Sequence, residues 1–180
     1  YPYDPEKAKE LLAEAGYADG FDLEVIVSSE IRNRTAQLIQ AQLLELGINV
    51  EISMYDFGAF QDMLADGDND MFILGWSNSN VDPMRSTTPL FHGDYCGRNG
   101  NNYSFMQNDE LDALMDEAAS ELDTEKRMDL YLQIQEMLKE EVPIVPLYYK
   151  QNINARRADL KGFVFNKATN HYYGNLHYEN

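Results

Sequence analysis

The stretch that decides the fold runs over residues 21–55 and reads FDLEVIV (21–27), IRNRTAQLIQAQLLELG (31–47) and INVEISMY (48–55). The first and third segments alternate apolar and polar residues, which predicts half-buried strands. The middle segment has the 3.6-residue period of a helix and ends at a glycine. The residues predicted on the inner face of this helix are Thr35, Leu38, Ile39, Gln42, Leu43 and Leu46. Together the three segments predict a β-α-β unit.

The same kind of pattern continues on both sides of this unit. Upstream, Asp4 suits a helix N-cap, Pro5 suits the first helical position, and Gly16 suits the position just past the end. Downstream, FGAFQDMLADG (57–67) predicts a short helix, and MFILGW (71–76) is apolar throughout, as in a strand covered on both faces. The resulting β-α-β-α-β order predicts an α/β fold, with a mixed sheet flanked by helices and right-handed crossovers.

The second half of the chain changes character. Residues 77–107 are rich in Asn, Ser, Gly, Asp and Tyr without a clear period, which predicts a long functional loop. Helices are predicted over 109–119 and 124–141, followed by a Pro-interrupted edge strand over 142–149 and one short strand near 162–166. The side chains that the second of these helices is expected to bury are Met128, Tyr131, Leu132 and Leu138.

Composition narrows the class of protein. The 180 residues hold 31 acidic and 14 basic side chains, a net charge of −17, and 44% are apolar. The apolar fraction is that of a globular domain, whereas the acidic balance argues against a nucleic-acid or anionic-membrane partner, since phosphate binding requires a basic patch. The single Cys96 cannot form an internal disulfide, and no run of 18 apolar residues occurs.

A candidate binding site follows from the predicted sheet. In open α/β sheets, ligands bind beyond the carboxyl ends of the strands. Two predicted βα loops share that edge if their strands are parallel, namely SSEIRNR (28–34) and the loop that follows Trp76. The residues expected to face one cleft are Arg32, Arg34, Trp76, Ser77, Asn78, Ser79 and Asp82.

Two of these predictions have competing interpretations. Trp76 is either buried core at a strand end or a wall against which a solute binds, because an indole is both apolar and polar. Arg32 lies in the first helical turn, where a cation opposes the helix dipole unless an anion joins the helix amides and the guanidinium. The alternative for Arg32 and Arg34 is a surface ion pair with Glu30.

The sequence contains little that indicates a metal site or the active site of a hydrolase. The stretch DGDND (66–70) mimics a calcium loop, but Met71 and Ser77 stand where that loop requires Gly and Glu, so a charged turn is expected. The three histidines and Cys96 lack metal-ligand spacing, and the chain has no GxSxG, HExxH or phosphate-binding glycine loop. No metal site, no cofactor and no catalytic residue are predicted. The histidines are His92, His171 and His177.

Five segments together resemble a known family. They read YDPEKAKELLAEAGY, IRNRTAQLIQAQLLELGINVEI, DMFILGWSNSNVDP, NNYSFMQNDELDALMDEAA and KRMDLYLQIQEMLKEEVPIVPLYY, in this order. In order and spacing they resemble the carboxyl-terminal lobe of the family 5 extracellular solute-binding proteins, over roughly residues 3–165. These proteins serve ABC importers of oligopeptides, dipeptides and nickel. The stretch PLFHGDYCGRNGNNYSFMQNDELD is most similar to the Gram-positive peptide-binding lipoproteins.

The resemblance implies a two-lobed, type II periplasmic-binding-protein-like fold that closes on its solute by a hinge. Residues 1–180 are then expected to form one α/β lobe, a carboxyl-terminal fragment of a larger binding protein. The tail 150–180 belongs either to that lobe or to the hinge or the other lobe. The partners expected are a peptide or other small solute, the amino-terminal lobe and the permease. We also expect a monomer at the cell surface, lipid-anchored or periplasmic, without enzymatic activity.

The resemblance also assigns roles at the candidate site. In peptide-binding members, an Asp often stands three residues after the strand-end Trp and pairs with the peptide amino terminus; here that position is Ser79. Asp82 lies three residues further on, and Arg32 or Arg34 matches the region that binds the ligand carboxylate. Peptide capture is therefore the function expected. Other solutes (a nickel chelate, an oligosaccharide or glutathione) are the alternative within binding, and a hydrolase domain is the alternative from another class.

Overall fold

The computed structural model describes residues 1–78, 82–151, 153–164 and 172–179. They fall into two compact units, Tyr1–Gly75 and Trp76–Asn180. The prediction that residues 1–180 form one lobe stays a prediction.

The first unit contains the predicted β-α-β-α-β order. Its central three strands are all parallel, in the order β2-β1-β3, and β1 pairs with β2 from Phe21↔Ile48 to Val27↔Met54. The sheet is therefore parallel in this unit, where the sequence predicted a mixed one. The elements are α1 (Pro5–Glu14), β1 (Phe21–Val27), α2 (Glu30–Leu44), β2 (Ile48–Met54), α3 (Phe57–Asp66) and β3 (Met71–Phe72).

Side-chain caps set where the helices of this unit begin. The Asp4 carboxylate accepts the amide N–H of Lys7 at 2.9 Å, as predicted for an N-cap. Ser29 caps α2, and Asp56 caps α3 by accepting the N–H groups of Gly58 and Ala59. These short-range signals are readable from sequence, and the predicted boundaries agree with the structure to within a few residues.

The core of the first unit lies between the sheet and α2. It consists of Val25, Val27, Ala36, Ile48, Val50 and Ile73, with Ile39 and Leu43 packed against it. Two sequence predictions are wrong here. Ile26 is also fully buried, so the carboxyl end of β1 is covered on both faces. The predicted inner face of α2 is wrong at Leu38, which is 70% exposed, and at Gln42, which is also exposed, because the helix presents Ala36 and Ile39 to the strands instead.

The third strand is shorter than its apolar sequence predicted. It pairs with β1 only at Val25↔Met71 and Ile26↔Phe72, and one further hydrogen bond runs from the Ile73 N–H to the Ile26 carbonyl at 3.4 Å. The predicted strand over 71–76 is thus wrong beyond Phe72. The acidic stretch before it is a turn, as expected: α3 ends at Gly67 with φ of 71°. Asp70 then accepts the Glu24 N–H at 2.8 Å and ties the turn to β1.

The second unit is built around three helices, α4 (Met84–Phe91), α5 (Asp109–Ser120) and α6 (Thr124–Glu141). The predictions of α5 and α6 are confirmed. Met128 and Leu132 of α6 are exposed, however, because α6 turns a different face inward, with Leu130, Tyr131 and Ile134. The buried cluster of this unit consists of Phe91, Leu111, Met115, Ala118, Leu130, Tyr131 and Ile134.

A network of polar side chains organises residues 84–107 of the segment that the sequence predicted as a long loop without regular structure. Besides α4, this segment holds two 3₁₀ turns, Gly93–Tyr95 and Gly97–Asn99. The Asn102 side chain is fully buried and donates to the carbonyls of His92 at 3.1 Å and Met106 at 2.9 Å. The Asp112 carboxylate accepts the Gly93 N–H at 3.1 Å. Long-range side-chain contacts of this kind leave no periodic trace in the sequence, which explains the wrong prediction.

The predicted strand over 142–149 is also wrong, since no described residue there pairs with another strand. The tail instead forms a two-stranded antiparallel sheet of β4 (Leu160–Lys161) and β5 (His177–Tyr178). The strand predicted near 162–166 falls beside β4 and runs partly beyond the described residues. Within the ranges the structure describes, none of the helices combines the length and the apolar character that crossing a bilayer requires.

Candidate functional site

Trp76 begins the second unit and is 45% exposed. Its indole Nε1 donates to the carbonyl oxygen of Arg85, in α4, at 2.8 Å. The polar edge of the ring is therefore satisfied within the protein, whereas much of the ring surface stays accessible. This exposure contradicts the alternative in which Trp76 is buried core.

The residues after Trp76 fold back onto the start of α4. Asn78 donates through Nδ2 to the Asp82 carbonyl and, at 3.0 Å, to the Ser86 hydroxyl. The Asp82 carboxylate accepts the Met84 N–H at 3.0 Å. Ser77 is exposed, and Ser79 lies outside the described residues. We call the described residues of this segment, Trp76 to Asn78 and Asp82 to Ser86, the tryptophan loop.

Arg127 of α6 was not among the sequence-predicted site residues, yet it contacts Asp82. Its Nη2 lies 2.9 Å from Oδ1 and 3.0 Å from Oδ2 of that carboxylate. The Met84 N–H, and secondarily Arg127, hold the pKa of Asp82 below its ordinary value, and together they outweigh its partial burial. Asp82 and Arg127 are 45 positions apart, so no local sequence pattern signals the pair.

The two arginines of the first unit differ in their surroundings. Arg32 is half-buried and donates through Nη1 to the Ser28 hydroxyl at 2.8 Å, at the carboxyl end of β1. Arg34 is exposed, and no ion pair joins it or Arg32 to Glu30. The alternative interpretation, a surface ion pair with Glu30, is therefore wrong for both arginines. The cleft predicted to join these arginines with Trp76 combines residues of both units and stays a prediction.

His92 and Cys96, which sequence analysis weighed as metal ligands, have other contacts in the described part of the chain. His92 accepts the Asp94 N–H at Nδ1, at 3.1 Å, which places its proton on Nε2 in the neutral ring. That Nε2 lies 3.6 Å from a carboxylate oxygen of Asp116. Burial raises the pKa of the Cys96 thiol above its ordinary value. Across the described ranges, no group of three or more His, Cys, Asp and Glu side chains converges as a metal ion requires.

Comparison with solved structures defines the class of protein. The dipeptide binding protein of Pseudoalteromonas sp. SM9913, solved with Met-Leu, matches with a TM-score of 0.87 and 29% identity, over 98% of this chain and 36% of that one. The periplasmic binding protein DppA of Helicobacter pylori, solved with the peptide STSA, matches with a TM-score of 0.77 and 34% identity, over 82% of this chain and 29% of that one. The fold is that of the periplasmic binding proteins, which confirms the predicted class.

The sequence comparisons then give the family. Residues 1–97 match the family described as bacterial extracellular solute-binding proteins, family 5 (middle part), and the chain belongs to this family. Heme-binding protein A of Haemophilus influenzae is 34% identical over 91% of this chain and 31% of its own length. The dipeptide-binding protein of Escherichia coli is 30% identical over 99% of this chain and 34% of its own length. The chain thus spans about a third of the length of these curated relatives.

Proposed function

We propose that the chain is part of the solute-binding component of an ABC importer, which captures peptides outside the cell and delivers them to the permease. The observation that carries this proposal is the match along almost the whole chain to a protein solved with the dipeptide Met-Leu. The match to a protein solved with the peptide STSA supports the same solute class. The family description supports an extracellular location.

Trp76 is proposed as an apolar wall of the solute site. Its ring is accessible and its N–H is already satisfied by Arg85, so the ring can contact an apolar side chain or a peptide plane without losing a hydrogen bond. The exposed Ser77, together with Asn78 and Ser79, is proposed to supply polar contacts to the solute or to bound water.

Of the two arginines, we propose that Arg32 and not Arg34 binds the solute carboxylate. The Arg32 guanidinium uses one nitrogen on Ser28 and keeps further N–H donors for a solute carboxylate. Its position at the carboxyl end of β1 is where ligands bind in sheets of this kind. Asp82, in contrast, already accepts from Met84 and Arg127, so we propose that its main contribution is to support the tryptophan loop.

A second candidate solute comes from the curated relatives. Heme-binding protein A of Haemophilus influenzae is 34% identical to this chain, and the glutathione-binding protein of Salmonella typhi is 31% identical. Haem or glutathione is therefore the alternative solute. We further propose that the whole protein is a non-enzymatic monomer, held at the cell surface by a lipid anchor or free in the periplasm.

Tryptophan fluorescence tests the proposal. The protein that carries this chain is titrated with Met-Leu, the tetrapeptide STSA, glutathione and haem, and the same titrations are run on W76F. The difference between the two isolates the Trp76 signal, because Trp76 is the only tryptophan of these 180 residues. We expect a saturable change with the peptides that W76F loses. Saturation by haem or glutathione alone would favour the second candidate, and a signal unchanged in W76F would reject Trp76 as the wall.

A further inference from the structure

Arg127 stands on a rigid base within the second unit. It lies one turn before Tyr131 on α6, and its Cζ is 5.6 Å from the centre of the Tyr131 ring, within the range of a cation–π contact. Tyr131 is only 2% exposed and belongs to the buried cluster formed by α5, α6 and Phe91. The guanidinium is thus placed by the core and not by a flexible surface chain.

From this base, contacts lead to the indole. Arg127 binds both oxygens of Asp82, and Asp82 accepts the N–H of Met84 at the first residue of α4. The next residue, Arg85, presents its carbonyl to the Trp76 N–H. Asn78 closes the loop a second time, through the Asp82 carbonyl and the Ser86 hydroxyl.

We propose that Arg127 is a positioning residue: through Asp82 it fixes the tryptophan loop so that the Trp76 ring stays presented to solute. The inference rests on the proposed function of Trp76 as a wall. The charge pairing also has a consequence for recognition. With its carboxylate paired to Arg127, Asp82 is occupied before a solute arrives, and a solute ammonium group would have to displace an arginine to reach it.

A matched control is available in the same unit. Arg157 pairs with Asp159 at 3.0 Å through Nε and at 2.7 Å through Nη2, and its Cζ lies 5.6 Å from the centre of the Tyr178 ring. This pair repeats the chemistry of the Arg127 site with a more exposed arginine, and its contacts with Asp159 and Tyr178 lie outside the tryptophan loop. A variant of Arg157 therefore shows what losing such a pair does when Trp76 is not involved.

The experiment measures the emission maximum and acrylamide quenching of Trp76 in the solute-free protein that carries this chain, for wild type, R127M, R127K, D82N and R157M, each taken as the difference from the same variant with W76F. Circular dichroism checks that each variant is folded. We expect R127M and D82N to shift the emission maximum and change the quenching constant in the same direction. The fluorescence of R127K should lie closer to wild type than that of R127M, and the fluorescence of R157M should match wild type. The fluorescence of the double variant D82N/R127M should differ from wild type no more than that of either single variant, because both substitutions remove the same contact between Asp82 and Arg127.

Folded R127M and D82N with wild-type fluorescence would overturn the proposal. If R127M does not fold, R127K and D82N decide the question in the same way. Solute titration of the same variants separates this inference from the proposed function: R127M should weaken peptide binding about fivefold, which corresponds to about 1 kcal/mol. Altered fluorescence in variants of a protein whose wild type binds no peptide would uphold the positioning and reject the function.

Discussion

Replacing Gly20 by alanine should strongly destabilise the first unit. Gly20 immediately precedes β1 and has φ of +76°, a conformation that residues with a Cβ adopt only at a cost. A Cβ built there would lie 1.9 Å from the carbonyl oxygen of Gly47, which immediately precedes β2. The contact joins the starts of the two strands that define the sheet, so neither backbone can move without disturbing their pairing.

The magnitude has two parts. Left-handed backbone at a residue with a Cβ costs roughly 1–2 kcal/mol. Displacing packed backbone to relieve the overlap costs about 1–3 kcal/mol more. We therefore expect G20A to lower the free energy of unfolding by about 2–5 kcal/mol, a large part of the 5–15 kcal/mol typical of a domain. Urea unfolding followed by far-UV circular dichroism measures it, because Trp76 lies in the other unit and does not report on Gly20.

Gly16 provides the control for G20A. Its φ of +87° is as unusual, but a Cβ at Gly16 would meet nothing within 4 Å. G16A should therefore cost only the backbone part, roughly 1–2 kcal/mol. If G20A and G16A lowered the free energy of unfolding equally, the close approach of Gly20 to Gly47 would be refuted.

Two further predictions concern the second unit. I134A removes a side chain that is 0% exposed, and it should lower the free energy of unfolding in urea by about 2–5 kcal/mol. L132A, at a residue that is 55% exposed on the same helix, should change that free energy by no more than about 0.5 kcal/mol. Equal losses in the two variants would contradict the observed buried face of α6. The lowered pKa of Asp82 means that its carboxylate stabilises the fold above its unfolded pKa of about 3.9 and loses that effect as pH falls through the lower folded value. The difference in unfolding free energy between wild type and D82N should thus be largest near neutral pH and vanish in acid, as followed by Trp76 emission; a difference independent of pH would contradict the Met84 and Arg127 contacts.

Much of the fold could be predicted because its signals are local. Each of three correctly predicted features depends on only a few neighbouring residues: the Asp4 cap followed by Pro5, the alternation of β2 and the helical period of α5. Such features are set by the backbone and the nearest side chains, so the same pattern predicts the same local structure in any protein.

The wrong predictions concern features that depend on distant residues. Leu38 and Ile39 are both apolar, and only the sheet decides that Ile39 packs and Leu38 faces solvent. Leu74 continues an apolar run, yet strand pairing with β1 ends at Phe72 and the last hydrogen bond to β1 comes from Ile73. Asn102 organises its segment through carbonyls that periodicity does not register.

The candidate site shows the same division. Trp76 could be singled out as the only tryptophan of the 180 residues, beside a polar loop, but its exposure and its hydrogen bond to Arg85 are seen only in the structure. Asp82 could be predicted to matter, whereas its partner Arg127 could not, since 45 positions separate them. Sequence therefore singled out Trp76 and Asp82, and the structure added the contacts that hold them within the second unit; their role in solute binding stays a prediction.

The most direct test of the central claim is calorimetric titration of the protein that carries this chain with Met-Leu, for wild type and W76A, with mass spectrometry of the recovered dipeptide. The account predicts saturable binding, an affinity about tenfold lower in W76A, corresponding to about 1.4 kcal/mol, and an intact dipeptide. Absence of binding, equal affinity in W76A, or hydrolysis of the dipeptide would contradict it.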